Sequence, residues 1–384
     1  MELGLYGEKW QVFVDKFNQK YDAQTIEGFD FDPVSISYNW QQLVKRVSAK
    51  VLPTYVDPES EGFELPLGDI AGVSGNIPTQ KLFYSVNRTI VREQMQLAQR
   101  FGRNVMDGDM ANTMFNLLYE GTDGLIQSFY NALKHQREQV ISTGKFKINA
   151  TNNPRGLKGI TIDFGVPSAN KDTLTSDARW WTSTTHTSGN QGSASDPLLY
   201  LKNRVKTIRQ KYAGPLKMEI SKALWDDMLT HTAVTAALAA AMYPNAASAQ
   251  VAAQSISYQP EDAIKALIQK IIAVDAIDIK DTYAYVSAPD TTGSNAPGLV
   301  VTKIDNFDAK TVAFLPTGKV GSIQGVQPLS MGYNESDVAY FLDNRLLIEL
   351  EGIPRTHSIN VNGEMGQLCV PSAVNELFIS VVTA

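Results

Sequence analysis

GDMANTMFNLLYEGTDGLIQSFYNALKHQREQVISTG runs from Gly108 to Gly144, and its reading sets the arrangement of the rest of the chain. Apolar residues recur at Met114, Leu117, Leu118, Leu125, Phe129, Leu133 and Val140, the steps of one helical face. Asp109 is placed to cap the start. Gly144, with Lys145 after it, stands where a helix ends in a left-handed residue. At 1.5 Å per residue the run is roughly 50 Å long, against about 11–12 residues for an ordinary globular helix. Gly121 and Gly124 lie inside it, each costing about 1 kcal/mol relative to alanine. The run is therefore one long helix, bent at the glycines, or two core helices joined at Glu120–Gly124. In both cases it is the longest helical signal in the chain, and the flanking strands must pack on it.

Upstream, residues 1–52 read as an arm. Trp10, Phe13, Val14 and Phe17 have helical spacing, and Phe29, Phe31, Pro33, Ile36, Tyr38 and Trp40 follow with no single period. So many aromatics in a segment without its own core imply docking on another surface, either a neighbouring copy or this chain's own body. Pro53, Pro58, Pro66 and Pro78 punctuate the next stretch. Phe63–Leu67 and Lys81–Ile90 alternate as strands do, which suggests a long two-stranded excursion. A lone hairpin is only marginally stable, so it must lie on something. Thr89–Arg100 is ambiguous between strand end and helix.

Downstream, strands are predicted at Lys145–Ala150 and Ile160–Phe164, followed by a Ser/Thr/Gly-rich surface loop, Ser176–Ser195, anchored by Trp180 and Trp181. Asp196-Pro197 opens a helix that Gly214-Pro215 stops. Lys217–Ile220 is a strand, and Ser221 caps a helix bearing Leu224, Trp225, Met228 and Leu229. An alanine-rich helical tract at Ala233–Ala253, a helix at Pro260–Ile272 and strands at Thr282–Val286, Leu299–Ile304 and Thr311–Leu315 follow. The end returns to β character at Leu346–Leu350, His357–Val361, Gln367–Val370 and Leu377–Val382. These last strands are expected to pair with Lys145–Phe164 beneath the long helix. The mixture is α+β.

The 384 residues suffice for a large core in two or more subdomains. Charged residues are 19%, below the usual quarter, as in a surface largely covered by partners. A net charge of −6 argues against a dedicated nucleic-acid binder. A single cysteine, Cys369, excludes internal disulfides and thiolate zinc sites, and its neighbours Leu368 and Val370 mark a buried thiol. The start lacks a basic-then-apolar signal, and Ala233–Ala253 falls short of about 20 firmly apolar residues, so no membrane segment is expected.

No catalytic, cofactor or metal residue can be assigned. Gly144-Lys145 and Gly318-Lys319 lack the Ser/Thr and the upstream glycine of a phosphate loop. His135, His186, His231 and His357 are scattered, with no HExxH. Asp226 and Asp227 are adjacent and so point apart on a helix. Ser74 in GVSGN is no nucleophile elbow. An enzyme is not expected.

Four stretches then carry a resemblance: ALKHQREQVISTGKFKI with ITIDFG within 132–165, ARWWTSTT with ASDPLLYLKNRV within 178–205, AFLPTGKVGSIQG at 313–325, and IPRTHSINVNGEMGQLCVPSAVNELFISVV at 353–382. In this order they resemble the major capsid proteins of tailed bacteriophages, in particular the lambda-type family with the Hong Kong 97-type fold. Thr182 stands where that family's Trp-Ser has serine, and residues 1–107 match only in character.

The resemblance implies an N-terminal arm at 1–52 and an extended β-hairpin loop at 53–92 lying across a neighbouring subunit. It implies a peripheral domain at 93–165 and 340–384 with a spine helix at 110–143, and an axial domain at 166–339. Contacts between subunits are expected at Trp10, Phe13, Phe17, Phe29, Phe31, Trp40, Phe63, Leu65, Leu67 and Ile70. The implied function is assembly of an icosahedral head shell around double-stranded DNA, the alternative being an encapsulin-like cargo compartment. Implied partners are copies of itself in hexamers and pentamers, separate scaffold and portal proteins, decoration proteins, and DNA held non-specifically on the inner face. The implied location is the virion capsid, assembled in the host bacterial cytoplasm. Lys81, the only lysine in 53–90, has no context that specifies the covalent cross-link some members form.

Overall fold

The computed structural model describes residues 15–21, 25–45, 70–100, 107–184, 186–243, 259–289, 299–329, 338–353 and 358–383. The expected strand Phe63–Leu67 and the end of the alanine-rich tract lie outside these residues. The chain divides into two compact units, one built from Met1–Gln41, Ser74–Lys134 and Ser322–Val370, the other from Gln42–Val73, His135–Gly321 and Pro371–Ala384. No helix among the described residues is long and apolar enough to cross a membrane.

Asp107–Thr143 is one continuous helix of 37 residues, so neither glycine breaks it. Asp109 lies in its first turn rather than at the cap. Gly144 does end it, with φ +71° and its N–H on Val140 O at 2.8 Å. The two internal glycines differ in their surroundings. A Cβ at Gly121 would press into the Tyr84 ring, whereas Gly124 has nothing within 4 Å. Tyr84 donates to Leu118 O at 2.8 Å and lies 3.0 Å from Thr122 Oγ1. Gly124→Ala is therefore expected to raise stability by up to about 1 kcal/mol. Gly121→Ala should lower it by about 1–3 kcal/mol through displacement of Tyr84. Thermal melts of the two variants check the contrast.

In the first unit the helix lies on a six-stranded sheet. Its order is Phe29–Phe31, Gly321–Val326, Ser358–Pro371, Leu346–Ile353, Val338–Phe341, with Thr79–Asn87 also paired to Ser358–Pro371. Along that long strand Ile359, Val361, Gly363 and Met365 are buried while Asn360, Asn362 and Glu364 are half-buried, the two-residue alternation of one covered face. A Cβ on Gly363 would stand 2.6 Å from Leu125 and 2.9 Å from Phe129, so the missing side chain lets the helix approach the sheet. The two strands expected at His357–Val361 and Gln367–Val370 are, from Ser358 on, parts of one 14-residue strand, Ser358–Pro371. The strand expected at Lys81–Ile90 stops at Asn87, whose Oδ1 accepts from Ile90 N at 2.9 Å and so caps the helix Arg88–Arg100. Cys369 is buried, its Sγ 3.6 Å from Leu133 O.

The second unit has a five-stranded mixed sheet: Lys171–Thr173, Phe378–Val381, Thr311–Pro316, Leu216–Ser221, Ala276–Lys280. Ala276–Lys280 was not legible as a strand in the sequence. The parallel step from Leu216–Ser221 to Ala276–Lys280 crosses through helices Lys222–Thr230, Thr232–Met242 and Glu261–Ile272. Asp196 and Ser221 cap as expected, accepting from Leu199 N and Leu224 N. Trp180, Trp181 and Trp225 are fully buried in the core between sheet and helices. Among the described residues Lys145–Ile148 and Ile160–Asp163 pair only with each other, which corrects the expected pairing with the C-terminal strands. Asn149 and Asn152 side chains close the turn between them by bonding local backbone, so the pair is complete as a ribbon. A second ribbon, Tyr283–Pro289 with Leu299–Asp305, also stands as two strands.

Candidate assembly surfaces

Among the described residues, the histidines and paired aspartates noted in the sequence bond to neighbouring side chains and backbone. His231 Nδ1 accepts from Ala233 N at 3.3 Å, so the ring proton sits on Nε2, 2.8 Å from Ser195 Oγ. Ser195 in turn donates to Gly192 O at 2.8 Å. The hydroxyl hydrogen points away from the imidazole, the reverse of nucleophile activation. His186 Nδ1 bonds Asp227 Oδ2, and its ring stacks on Trp181 at 4.7 Å. Asp226 pairs instead with Lys222 at 2.8 Å, so the two adjacent aspartates do diverge. His357 lies outside the described residues.

The strongest electrostatic feature is structural too. Arg137 grips Glu219 with both nitrogens, at 2.6 and 2.5 Å, and the two side chains are 3% and 0% exposed. Lys217 Nζ adds a contact at 2.7 Å and Lys280 one at 3.7 Å. Burial pushes the Glu219 carboxyl up, but Arg137 and the two lysines outweigh it and hold it below the usual range.

The same stretch of helix clamps the base of the Tyr283–Asp305 ribbon. His135 Nδ1 lies 2.9 Å from Asn306 Oδ1 and its Nε2 3.0 Å from Gln139 Nε2. Glu138, on the same helix face, accepts from Thr282 Oγ1. Burial lowers the His135 pKa, with Asn306 opposing. Burial raises that of Glu138 against Thr282, Arg137 and Lys280, and Glu219 adds to the rise.

The two act on stability with opposite sign. His135 binds protons less readily when folded, so its contribution is present above its ordinary 6.5 and is lost as pH falls through the lowered value. Glu138 binds protons more readily when folded, so its cost above the ordinary 4.5 is relieved as pH falls through the raised value. Burial lowers His231 as well, with the sign of His135. On going from about pH 7.5 to about pH 5, His135→Gln should lose less thermal stability than wild type and Glu138→Gln more. Melts across that range decide it.

The residues expected at subunit contacts fall into three groups. Phe17, Phe29 and Trp40 are buried in this chain. Phe17 stacks on Tyr119 at 4.9 Å and meets Phe341 edge-on at 6.1 Å. Tyr21 nearby donates to Asp123 at 2.5 Å, and Tyr130 donates to Tyr21 O at 3.1 Å. Ser35 N–H reaches Gly325 O at 2.9 Å. For these residues the docking surface is the chain's own body. Phe31 is half-buried with Arg345 over its ring at 4.7 Å, and Ile70 begins the strand Ile70–Asn76, paired to Asn39–Lys45. Trp10, Phe13, Phe63, Leu65 and Leu67 lie outside the described residues.

Other apolar side chains are left in solvent, and of these only Ile36 and Tyr38 were singled out in the sequence, as part of the arm. In the first unit Ile36, Tyr38, Phe83 and Leu329 are exposed. In the second, Tyr283, Tyr285 and Val301 are exposed, at 44, 66 and 61%. Tyr285 and Val301 lie on one face of the ribbon, because Tyr285 is opposite Lys303 and Ser287 opposite Val301. Their alternation, YAYVS against VTK, was the available signal.

Three solved structures are similar at low identity. The putative capsid protein of a prophage of E. coli CFT073 has 10% identity over 98% of this chain and 99% of that one, with TM-score 0.49. A phage-related protein from Bordetella bronchiseptica RB50 has 12% identity over 92% and 89%, with TM-score 0.45. The satellite phage P4 procapsid including its size determination protein has 10% identity over 96% and 98%, with TM-score 0.44. At such scores they carry no part of the assignment. No curated protein matches. The sequence model of phage major capsid protein E matches residues 48–263, more than half of the chain. On that match the protein belongs to the phage major capsid protein E family.

Proposed function

We propose that copies of this chain meet through the free-standing ribbon Tyr283–Asp305 and through residues of the arm and extended loop. The protein is a phage major capsid protein, a structural subunit that self-assembles into an icosahedral shell. The observation that carries the contact reading is the ribbon itself. A two-stranded sheet with exposed Tyr283, Tyr285 and Val301 gains stability only when a partner covers it. In a closed shell that partner is another copy, repeated by symmetry.

The domain roles follow the order of segments: arm 1–52, extended loop 53–92 that reaches across a neighbour from its Thr79–Asn87 strand in this chain's own sheet, peripheral domain 93–165 with 340–384, and axial domain 166–339. Phe17, Phe29 and Trp40 root the arm in its own subunit. The neighbour contact then falls to Trp10, Phe13, Phe63, Leu65, Leu67, Ile70 and Phe31. Hexamers and pentamers would enclose double-stranded DNA with separate scaffold, portal and decoration proteins, the shell forming in the host bacterial cytoplasm. The overexpressed full chain should give spheres, tubes or rings by negative-stain microscopy. Tyr285→Glu with Val301→Glu should leave soluble subunits with an unchanged melting temperature. Particles that form equally well with the doubly substituted chain would remove the ribbon from the contact.

A further inference from the structure

The helix Pro197–Lys211, PLLYLKNRVKTIRQK, carries Lys202, Arg204, Lys206, Arg209 and Lys211 and no acidic residue, within a chain of net charge −6. Its buried face is Leu198, Leu201, Val205 and Ile208. Three of the five cations are engaged. Arg204 donates to Asn170 O at 2.7 Å and Ser380 Oγ at 3.2 Å. Arg209 pairs with Asp275 at 2.6 Å, and Lys211 Nζ donates to Ala169 O at 2.8 Å. Lys202 and Lys206 are exposed and have no partner among the described residues.

The helical repeat aligns the exposed residues in two rows, Lys202–Lys206–Gln210 and Asn203–Thr207–Lys211. None of the side chains in these rows is a carboxylate, and Lys202, Lys206, Asn203 and Gln210 carry donors, while the Thr207 hydroxyl donates to Asn203 O at 3.1 Å. Of the carboxylates around the helix, Asp196 caps it, Asp172 takes the Tyr200 hydroxyl at 2.8 Å and Asp275 holds Arg209, while Glu376 lies beside Tyr212 at the C-terminal end.

We infer that the face Lys202–Asn203–Lys206–Thr207–Gln210 docks the phosphate backbone of the enclosed DNA. The inference rests on the shell reading above. Lys, Asn, Gln and Thr are among the side chains that bond phosphate oxygens, contacts that carry no sequence information. A contact between protein surfaces would instead concentrate aromatics and be poor in lysine. On this face only Leu199, at its N-terminal end, is an exposed large apolar residue. Two free lysines on an acidic subunit give a weak, salt-sensitive hold, multiplied over many copies.

The test uses unassembled full-length chain and a labelled duplex of about 30 random base pairs, titrated between about 50 and about 200 mM salt. Lys202→Gln with Lys206→Gln should lower the salt slope by about 2, so wild type loses about tenfold more affinity across that range than the variant. Lys202→Arg with Lys206→Arg should keep wild-type binding. Negative-stain microscopy of all three chains separates the two readings. If wild type makes shells but the glutamine variant binds DNA with unchanged affinity and slope, the phosphate site is overturned and the shell reading stands. If the glutamine variant loses shell formation while its DNA binding is unchanged, the face is a contact between copies, and the proposal is again overturned. If wild type makes no particles, it is the shell reading that fails.

Discussion

Arg137→Met is expected to destabilise the second unit by about 3–5 kcal/mol, among the largest single effects in this protein. The cause is what remains rather than what is removed. Glu219 lies on a central strand of the five-stranded sheet and is 0% exposed, so without the guanidinium it is an ion in a core. Lys217 at 2.7 Å and Lys280 at 3.7 Å keep part of the compensation, which places the expected loss toward the lower end. A flexible ammonium does not reproduce the two parallel bonds of the fork. Glu219→Gln should cost a similar amount by stranding Arg137. Arg137→Met with Glu219→Leu should recover most of the loss, because a buried pair replaced by apolar groups of similar volume is close to neutral. Trp180, Trp181 and Trp225 are all in this unit's core, so tryptophan fluorescence during urea unfolding of unassembled chain reports the change. A single-variant cost below about 1 kcal/mol would mean that water reaches the pair.

Phe17→Ala is expected to cost about 3–5 kcal/mol and to loosen the arm from the first unit. The ring is 0% exposed and loses its stack on Tyr119 and its edge contact with Phe341. The surrounding polar ties all act within this chain: Tyr21 to Asp123, Tyr130 to Tyr21 O, Lys20 to Asp123 at 2.6 Å, and Leu342 N to Asn18 Oδ1 at 3.2 Å. The loss should therefore appear in unassembled subunits and be independent of concentration. Limited proteolysis and hydrogen exchange at residues 15–21 provide the readout. If the variant were as stable as wild type when unassembled and impaired only in particles, Phe17 would be serving a neighbouring copy. Tyr21→Phe, which keeps the ring and loses the bond to Asp123, should cost only about 1 kcal/mol.

Much of the candidate site was not legible. The aromatics of the arm announce themselves as residues that must be covered, but nothing local states by what. Phe17 is covered by Tyr119 and Phe341, more than a hundred residues away along the chain, and composition carries no trace of that choice. The ribbon at Tyr283–Asp305 was legible as strands, yet its lack of a covering layer was not, because alternation looks the same whether a sheet or solvent lies beyond.

By itself the amino-acid sequence determined the features that a few neighbouring residues can settle. The amphipathic helical run and its end at Gly144 and the caps at Asp196 and Ser221 rest on interactions within about four residues, whereas the continuity of the run through Gly121 and Gly124 was left open. The order of segments belongs with them. Only the tertiary structure decided which strands became partners. Lys145–Ile148 closed with Ile160–Asp163 alone, the C-terminal strands went to two different sheets, and Gly363 became a point of close approach inside a strand rather than a break between two. Strand pairing and burial join groups far apart in the chain. Their free energy depends on the whole set of surfaces that must be covered at once, and no short window of residues contains that set.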